Sequence, residues 1–440
     1  MATTAFWAPN QASVAQVRQY TFTAPNSIGN SYSATINGKT VSYLSVSGDT
    51  AVTVAAALFA LLSNPSVAEL SEIQFANPSN GVMTATAKVP GTPFAIVGVA
   101  ASLVLSTGNG LANGIATLEL IPNASPSDVN DPQNWLRVTA PAPGVRQLPQ
   151  NGDDEVIANT AVSMLWNLDK LSAVQRNTFT RWQSMTGTIG LPENNPNGYV
   201  EWRATYYKLS GPQGSIPAGG LQMVLGYNSG SGNGPTRERY DLGSQQYTLA
   251  VLAAGNAADE YGVRILGVHT QNTMTVLGGV SVAVAMLAGE TSKLNNVTVD
   301  GNATLGIGPG VTWTAAATLT MYGATSIINA APSTLQLSNG ANCTISTDLL
   351  TWPAVNMQGG STLTMLAGGI ITTLVMTTSS AIDKSQDARG LTITNSTIDG
   401  DTCDVNDPLN AIVWTNATTV KQSVTSGPFR FTGTRTVKVT

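Results

Sequence analysis

Short threonine-led segments closed by glycine recur through the second half of the chain. Thr273-Met-Thr-Val-Leu-Gly278, Thr304-Leu-Gly-Ile-Gly-Pro-Gly310, Thr318-Leu-Thr-Met-Tyr-Gly323, Thr334-Leu-Gln-Leu-Ser-Asn-Gly340 and Thr362-Leu-Thr-Met-Leu-Ala-Gly368 are related, and Leu391-Thr-Ile-Thr-Asn395 is a looser copy. The threonines at 304, 318, 334, 362 and 392 are separated by 14, 16, 28 and 30 residues, near one or two units of about 15. A strand with two inward apolar residues cannot bury its apolar face alone, but copies stacked on one another close a core. The pattern predicts a mainly β chain whose principal domain is a right-handed parallel β-helix, or β-solenoid, a β-sandwich or a row of small β-domains being the alternative.

Charge follows the same logic. Between Leu294 and Asp383 there is no Lys or Arg, and the only acids are Asp300, Asp348 and Asp383. In-register stacking would set like charges about 4.8 Å apart, whereas Thr and Asn can hydrogen-bond up and down the stack. Of 55 threonines, 28 lie after residue 300. Only 10% of the 440 residues are charged, against about 25% in ordinary globular chains. A net charge of −5 gives no basic footprint for nucleic acid. Hydrophobic residues make up 42%, which argues against disorder, and the wealth of Thr and Gly argues against a helical bundle.

Residues 1–16 read as an N-terminal arm. Residues 17–122 read as a small α/β module, with alternation at Tyr32, Ala34 and Ile36 and a hairpin turn at Asn37-Gly38. Asp49 or Thr50 caps an expected helix over Ala51–Ser63 that Pro65 ends, with Val54, Leu58, Leu61 and Leu62 facing a sheet. Met83–Val89 and Phe94–Val99 then complete a ββαββ unit near Leu120. Residues 123–134 read as a linker, 135–265 as the β-rich first part of the solenoid with loop insertions, and 266–440 as Thr/Gly-rich solenoid and C-terminal strands. Gly226–Gly234 reads as a loop tip. The longest apolar runs, Ala51–Leu62 and Phe94–Leu105, are too short to span a bilayer, so no membrane insertion is expected. The first residues lack a secretory signal, so Cys343 and Cys403 are expected as two lone thiols, one disulfide being the alternative.

Two passages lead to a resemblance. The first is Asp153-Asp-Glu-Val-Ile-Ala-Asn-Thr160, then Leu165-Trp-Asn-Leu168, Gly187-Thr-Ile-Gly-Leu-Pro192 and Gly198-Tyr-Val-Glu-Trp-Arg203 with Tyr206 and Tyr207. It resembles a family of uncharacterised phage and prophage virion proteins in which this segment leads into parallel β-helix rungs. The second is Ile36-Asn-Gly-Lys-Thr-Val-Ser-Tyr43, Gly48-Asp-Thr-Ala-Val-Thr-Val-Ala-Ala56 and Pro90-Gly-Thr-Pro-Phe94. It is similar to a small module of phage tail and virion-surface proteins. The resemblance implies a bacteriophage virion structural protein, either fibre- or spike-like or decorating the particle; the reading taken is a projecting one, and analogy with other solenoid spikes adds a homotrimer. It would contact other virion proteins through residues 17–122 and adhere to a host surface glycan. It would be made in the host cytoplasm and released by lysis. It transfers no catalytic residue. A capsid decoration protein, a polysaccharide-degrading β-helix enzyme and a non-phage adhesin are the rival readings.

Two clusters are candidate sites. Glu201 and Arg203 are two apart on an expected strand over Val200–Leu209 and would share a face. With Trp202, Tyr206 and Tyr207 they would form a glycan-binding patch, the alternative being a surface ion pair beside core or trimer-interface aromatics. An enzyme would need a second carboxylate near Glu201. Asp399, Asp401, Asp404 and Asp407 form the densest acidic cluster. Hard cations such as Ca²⁺ take such oxygens, an Asp/Asn-rich turn between rungs is the alternative, and no other cofactor is expected. His269, the sole histidine, precludes a multi-histidine metal site and reads as a structural residue on a strand.

Overall fold

The structure, a computed structural model, describes residues 3–97, 115–139, 143–209, 220–227, 234–255, 261–348, 350–399, 403–416, 419–421 and 430–432. The chain is mainly β, with a β-solenoid of about 11 turns across residues 154–414 and a small N-terminal module.

The solenoid has two long parallel sheets. In the first, one inward column runs Glu155, Phe179, Met223, Leu249, Met274, Val297, Leu319, Leu335, Val355 and Leu374. Two residues further along each strand, a second column runs Ile157, Arg181, Leu225, Val251, Val276, Val299, Met321, Leu337, Met357 and Met376. The period of two that aims both columns inward aims their neighbours outward. Thr275, Thr298, Thr320, Gln336 and Asn356 accordingly stand on one outer ladder. The turns also carry rung-to-rung bonds, such as Asn416 Nδ2 to Asn395 Oδ1 at 2.7 Å and Thr314 Oγ1 to Asn295 Oδ1 at 2.8 Å.

The repeat length differs from the expected 15. Met274, Val297, Leu319 and Leu335 are register partners on successive turns, at steps of 23, 22 and 16 residues. Threonine-led strands occur on both sheets: Thr318 and Thr334 pair in one, and Thr304 pairs with Thr325 in the other. Sequence intervals therefore mix steps within a turn with steps between turns.

The N-terminal residues do not form an arm. Thr3–Trp7 pairs parallel with Asp154–Ile157 and antiparallel with Trp135–Thr139, and Ala5 and Trp7 are buried. Residues 123–134 are likewise packed: Val129 enters the solenoid core, and buried Asn134 donates to the carbonyls of Ser125 and Asp128. The module between these strands is thus an insertion rooted at both ends in the first solenoid sheet. It has its own core, which includes Tyr20, Tyr32, Ile36, Leu58 and Met83. Among the described residues, three strands precede its helix and four follow it, in place of ββαββ. The hairpin turns at Asn37-Gly38, both at positive φ. The helix spans Ala51–Leu62 and is capped by Thr50, whose side chain accepts from the Thr53 amide while Thr53 Oγ1 accepts from the Thr50 amide. Val54, Ala55, Leu58 and Leu62 are buried, whereas Leu61, expected inside, lies at the edge of that stripe and is 39% exposed. Gly98 and Val99, the end of an expected strand, and residues 228–233 of the expected loop tip lie outside the described residues.

Close stacking gives a direct test. A Cβ on Gly308 would lie 1.8 Å from the Ala285 carbonyl oxygen of the preceding turn, while one on Gly390 would meet nothing within 4 Å. Gly308→Ala is expected to cost about 2–3 kcal/mol and Gly390→Ala a few tenths at most. Paired thermal melts of the two variants check this.

Candidate functional site

The structure distributes the five residues of the expected glycan patch over three places. Tyr207 is inside the solenoid, with no exposed surface. Its hydroxyl donates to Glu155 Oε1 at 2.7 Å and accepts from Arg176 Nη2 at 3.0 Å. Arg176 Nε donates to Glu155 Oε2 at 2.8 Å, and its Nη1 reaches the carbonyls of Leu171 and Val174. Both charges are fully buried. A second set stands nearby: Arg181 pairs with Glu238 through two nitrogens, Tyr240 donates to Glu238 at 2.8 Å, and Arg181 Nη2 reaches the Ala253 carbonyl at 2.6 Å. Satisfying almost every polar atom is the condition for burying charge. Tyr207 is therefore a core residue and offers no platform to a sugar.

Glu201 and Arg203 are half of a clamp between module and solenoid. The expected strand over Val200–Leu209 shrinks to Tyr207–Lys208. Glu201 Oε1 takes the Arg203 amide at 3.1 Å, a local side-chain bond that replaces a ladder partner. Arg203 then grips Glu201 through Nε at 2.7 Å and Nη2 at 3.0 Å. It also reaches into the module, to Glu72 Oε1 at 3.0 Å and the Pro93 carbonyl at 3.2 Å. The guanidinium sits 4.7 Å from the Trp166 ring centroid and 5.1 Å from that of Trp202, and it donates to the Tyr199 hydroxyl at 3.2 Å. Burial would raise the Glu201 carboxyl, but hydrogen bonds from Arg203 and Asn195 more than offset it and hold the group below the usual carboxylate value. This carboxylate is occupied, so the patch expected at Glu201, Trp202 and Arg203 is a joint between two parts of the protein.

Tyr206 alone lines an open groove. The groove, about 520 Å³, runs past Asp241, Leu266, Val268, Gly289 and Glu290. Tyr206 donates its hydroxyl to Glu290 Oε1, and Glu290 Oε2 accepts the Leu287 amide at 2.9 Å. Burial, with the hydrogen bond to Glu290, raises the Tyr206 phenol and keeps it neutral. Asp241 Oδ1 takes the Gly243 amide at 2.9 Å. The residues that meet here, and Glu72 in the clamp, come from distant positions. Glu290 is 84 residues from Tyr206 and Glu72 is 131 from Arg203, and no motif connects them.

Among the described residues, Asp399, Asp404 and Asp407 do not come together as a group able to hold a metal ion. Asp399 ends the strand Leu391–Asp399 and Asp404 begins the strand Asp404–Asn406. Buried Asp407 accepts the amides of Ala411 and Ile412 at 2.8 and 3.0 Å, closing a turn with both oxygens. Asp401 lies outside the described residues. Among the described residues no group of three or more His, Cys, Asp or Glu could hold a metal ion. His269 lies in a turn past the strand Val263–Leu266, its Nδ1 accepting the Gln271 amide. Cys343 and Cys403 are buried and lie outside any disulfide, and burial pushes the Cys343 thiol up to about 12. No helix among the described residues is long and apolar enough to cross a membrane. No family model, curated protein or solved structure matches the chain.

The clamp carries two predictions. Arg203→Ala leaves Glu201 and Glu72 facing each other across a buried gap and is expected to cost about 3–5 kcal/mol, read as a lowered Tm. Because the folded Glu201 value lies below the unfolded one, its contribution is complete above the ordinary carboxylate pKa and is lost as pH falls through the depressed value. Fluorescence of the tryptophans around Arg203 is expected to change in that acid window, and the same step to be absent in Glu201→Gln.

Proposed function

We propose that this chain is a virion structural protein, a stiff β-solenoid projecting from a particle to which residues 17–122 attach it. The observation that carries the reading is the rooting of the module. Two strands of the solenoid's first sheet flank it in sequence, and Arg203 ties its far side to the first turns. A module fixed in this way transmits its orientation to the whole solenoid, as an attachment element of a projecting protein must.

Other features support the same reading. Exposed large apolar residues are denser on the module, where Ile28, Leu44 and Val46 are 71%, 62% and 57% exposed. Such residues are candidates for contact with another protein. The solenoid's outer ladders are rich in Thr and Asn, a surface that hydrogen-bonds without charge. The resemblance of the segments around Asp153 and Gly198 to phage virion proteins adds the kind of particle. Trimerisation around a three-fold axis and adhesion to a host glycan belong to the proposal.

Antibody raised against the purified chain is expected to label particles recovered from a lysate of the source cells. Light scattering is expected to give three times the 45.5 kDa chain mass. Label confined to cell envelopes would overturn the virion reading, and a monomer would remove the spike geometry.

A further inference from the structure

We propose that the groove beside Tyr206 binds a saccharide that presents hydroxyl and amino groups rather than carboxylates. The inference rests on the adhesive reading above and gives it a location and a ligand class. At about 520 Å³ the groove falls within the roughly 300–1,000 Å³ usual for small-ligand sites. Its polar side chains are weighted toward acceptors. Asp241 and Glu290 are carboxylates, and among the described residues no Lys or Arg lines the groove. Arg239 lies behind Tyr206, 5.9 Å from its ring centroid, and is itself only 3% exposed. An anionic sugar would meet the two carboxylates first, the guanidinium groups of Arg239 and Arg264 standing near Tyr206 without lining the groove, whereas hydroxyl and ammonium donors would find acceptors.

The remaining lining suits the apolar face of a pyranose. Leu266 and Val268 supply aliphatic surface, Val268 being 44% exposed, and Tyr206 supplies an aromatic edge. The acceptors are held before any ligand arrives. Glu290 is fixed through both oxygens, by Tyr206 and by the Leu287 amide. Asp241 is held through Oδ1 by Gly243, and among the described residues its Oδ2 takes no protein hydrogen bond. Preorganisation of this kind reduces the ordering cost of binding. A bare metal ion is a poorer occupant, because among the described residues the groove offers two carboxylates and no third acidic, histidine or cysteine ligand.

The test is calorimetric titration of the full-length protein with a glucosamine trisaccharide, maltotriose and trigalacturonate. Glucosamine trisaccharide is expected to bind most tightly, maltotriose next, and trigalacturonate at least about tenfold more weakly than the first. Asp241→Asn keeps the Oδ1 acceptor for Gly243 and is expected to lower affinity for glucosamine trisaccharide about tenfold with unchanged Tm. Val268→Trp, at an exposed position, is expected to block all three sugars. Equal binding of trigalacturonate, binding indifferent to both variants, or no binding of any sugar would overturn the inference. Particle labelling is read separately. Labelled particles without sugar binding would remove only the groove, and groove-dependent binding by a chain absent from particles would remove only the virion reading.

Discussion

In-register parallel stacking is the constraint from which the rest of this structure follows. Each inward side chain lies on its counterpart in the next turn, about 4.8 Å away, so a residue type is tolerated inside only if it tolerates its own neighbourhood repeated. Leu, Val, Ile and Met do, and from Leu249 to Leu374 one column contains nothing else. A buried charge requires a partner from a different column, which stacking does not supply automatically. Glu155, Arg176, Arg181 and Glu238 all belong to the first turns, where the irregular segments 158–177 and 183–206 can bring such partners in. Lys384 is an exception further along. It is buried past the strand Ala381–Asp383 and held by the Ala367 carbonyl and Asp387.

The early turns therefore do a different job from the later ones. Replacing a buried ion pair by apolar residues is often neutral or stabilising, so stability alone does not account for two such sets. What they provide is directional: a guanidinium fork and a phenol each accept one geometry. At the turns that must receive the returning strand Trp135–Thr139 and the base of the module, that geometry fixes the register. The clamp at Arg203 extends the same device outside the core. It spends a charge on the module's Glu72 where an apolar contact would leave the orientation free to slide.

The sequence made the later turns readable and the earlier ones obscure, for one physical reason. Period-two alternation of Thr with Leu or Met reports local backbone geometry, so strands such as Thr318–Tyr322 and Thr334–Ser338 stand out. Turn length is a relation between strands, and the two-sheet cross-section blurred it. The capped helix at Thr50 was legible because a cap is local, whereas the burial of Leu61 depends on which sheets the helix meets. Glu201 and Arg203 were correctly read as a pair, but the partner that decides their role, Glu72, is brought to them by tertiary structure. Tyr206 and Tyr207 show the limit most sharply. They are adjacent in sequence, yet Tyr206, just before the strand Tyr207–Lys208, lines a groove while Tyr207 enters the core.

The segment that carries the resemblance can now be understood as structural chemistry. Tyr199, Glu201 and Arg203 of its last part are all members of the clamp, and Glu155 of its first part anchors the innermost ion pair. Gly187 and Gly190 fall where a Cβ would lie 2.7 Å from the Ala161 carbonyl oxygen and 2.6 Å from that of Thr205. A pattern made of such residues records how a first turn is closed and how a module is held to it. It carries no information about what the outer surface binds. Recognition chemistry has to come from positions the pattern leaves free. Asp241, Val268 and Glu290 lie outside that segment, with Tyr206 at its edge, and they line the groove. The fixed geometry of the solenoid's start and the chemistry of its flank are thus separable, and a ligand could be exchanged by altering the groove without disturbing the ion pairs beneath it.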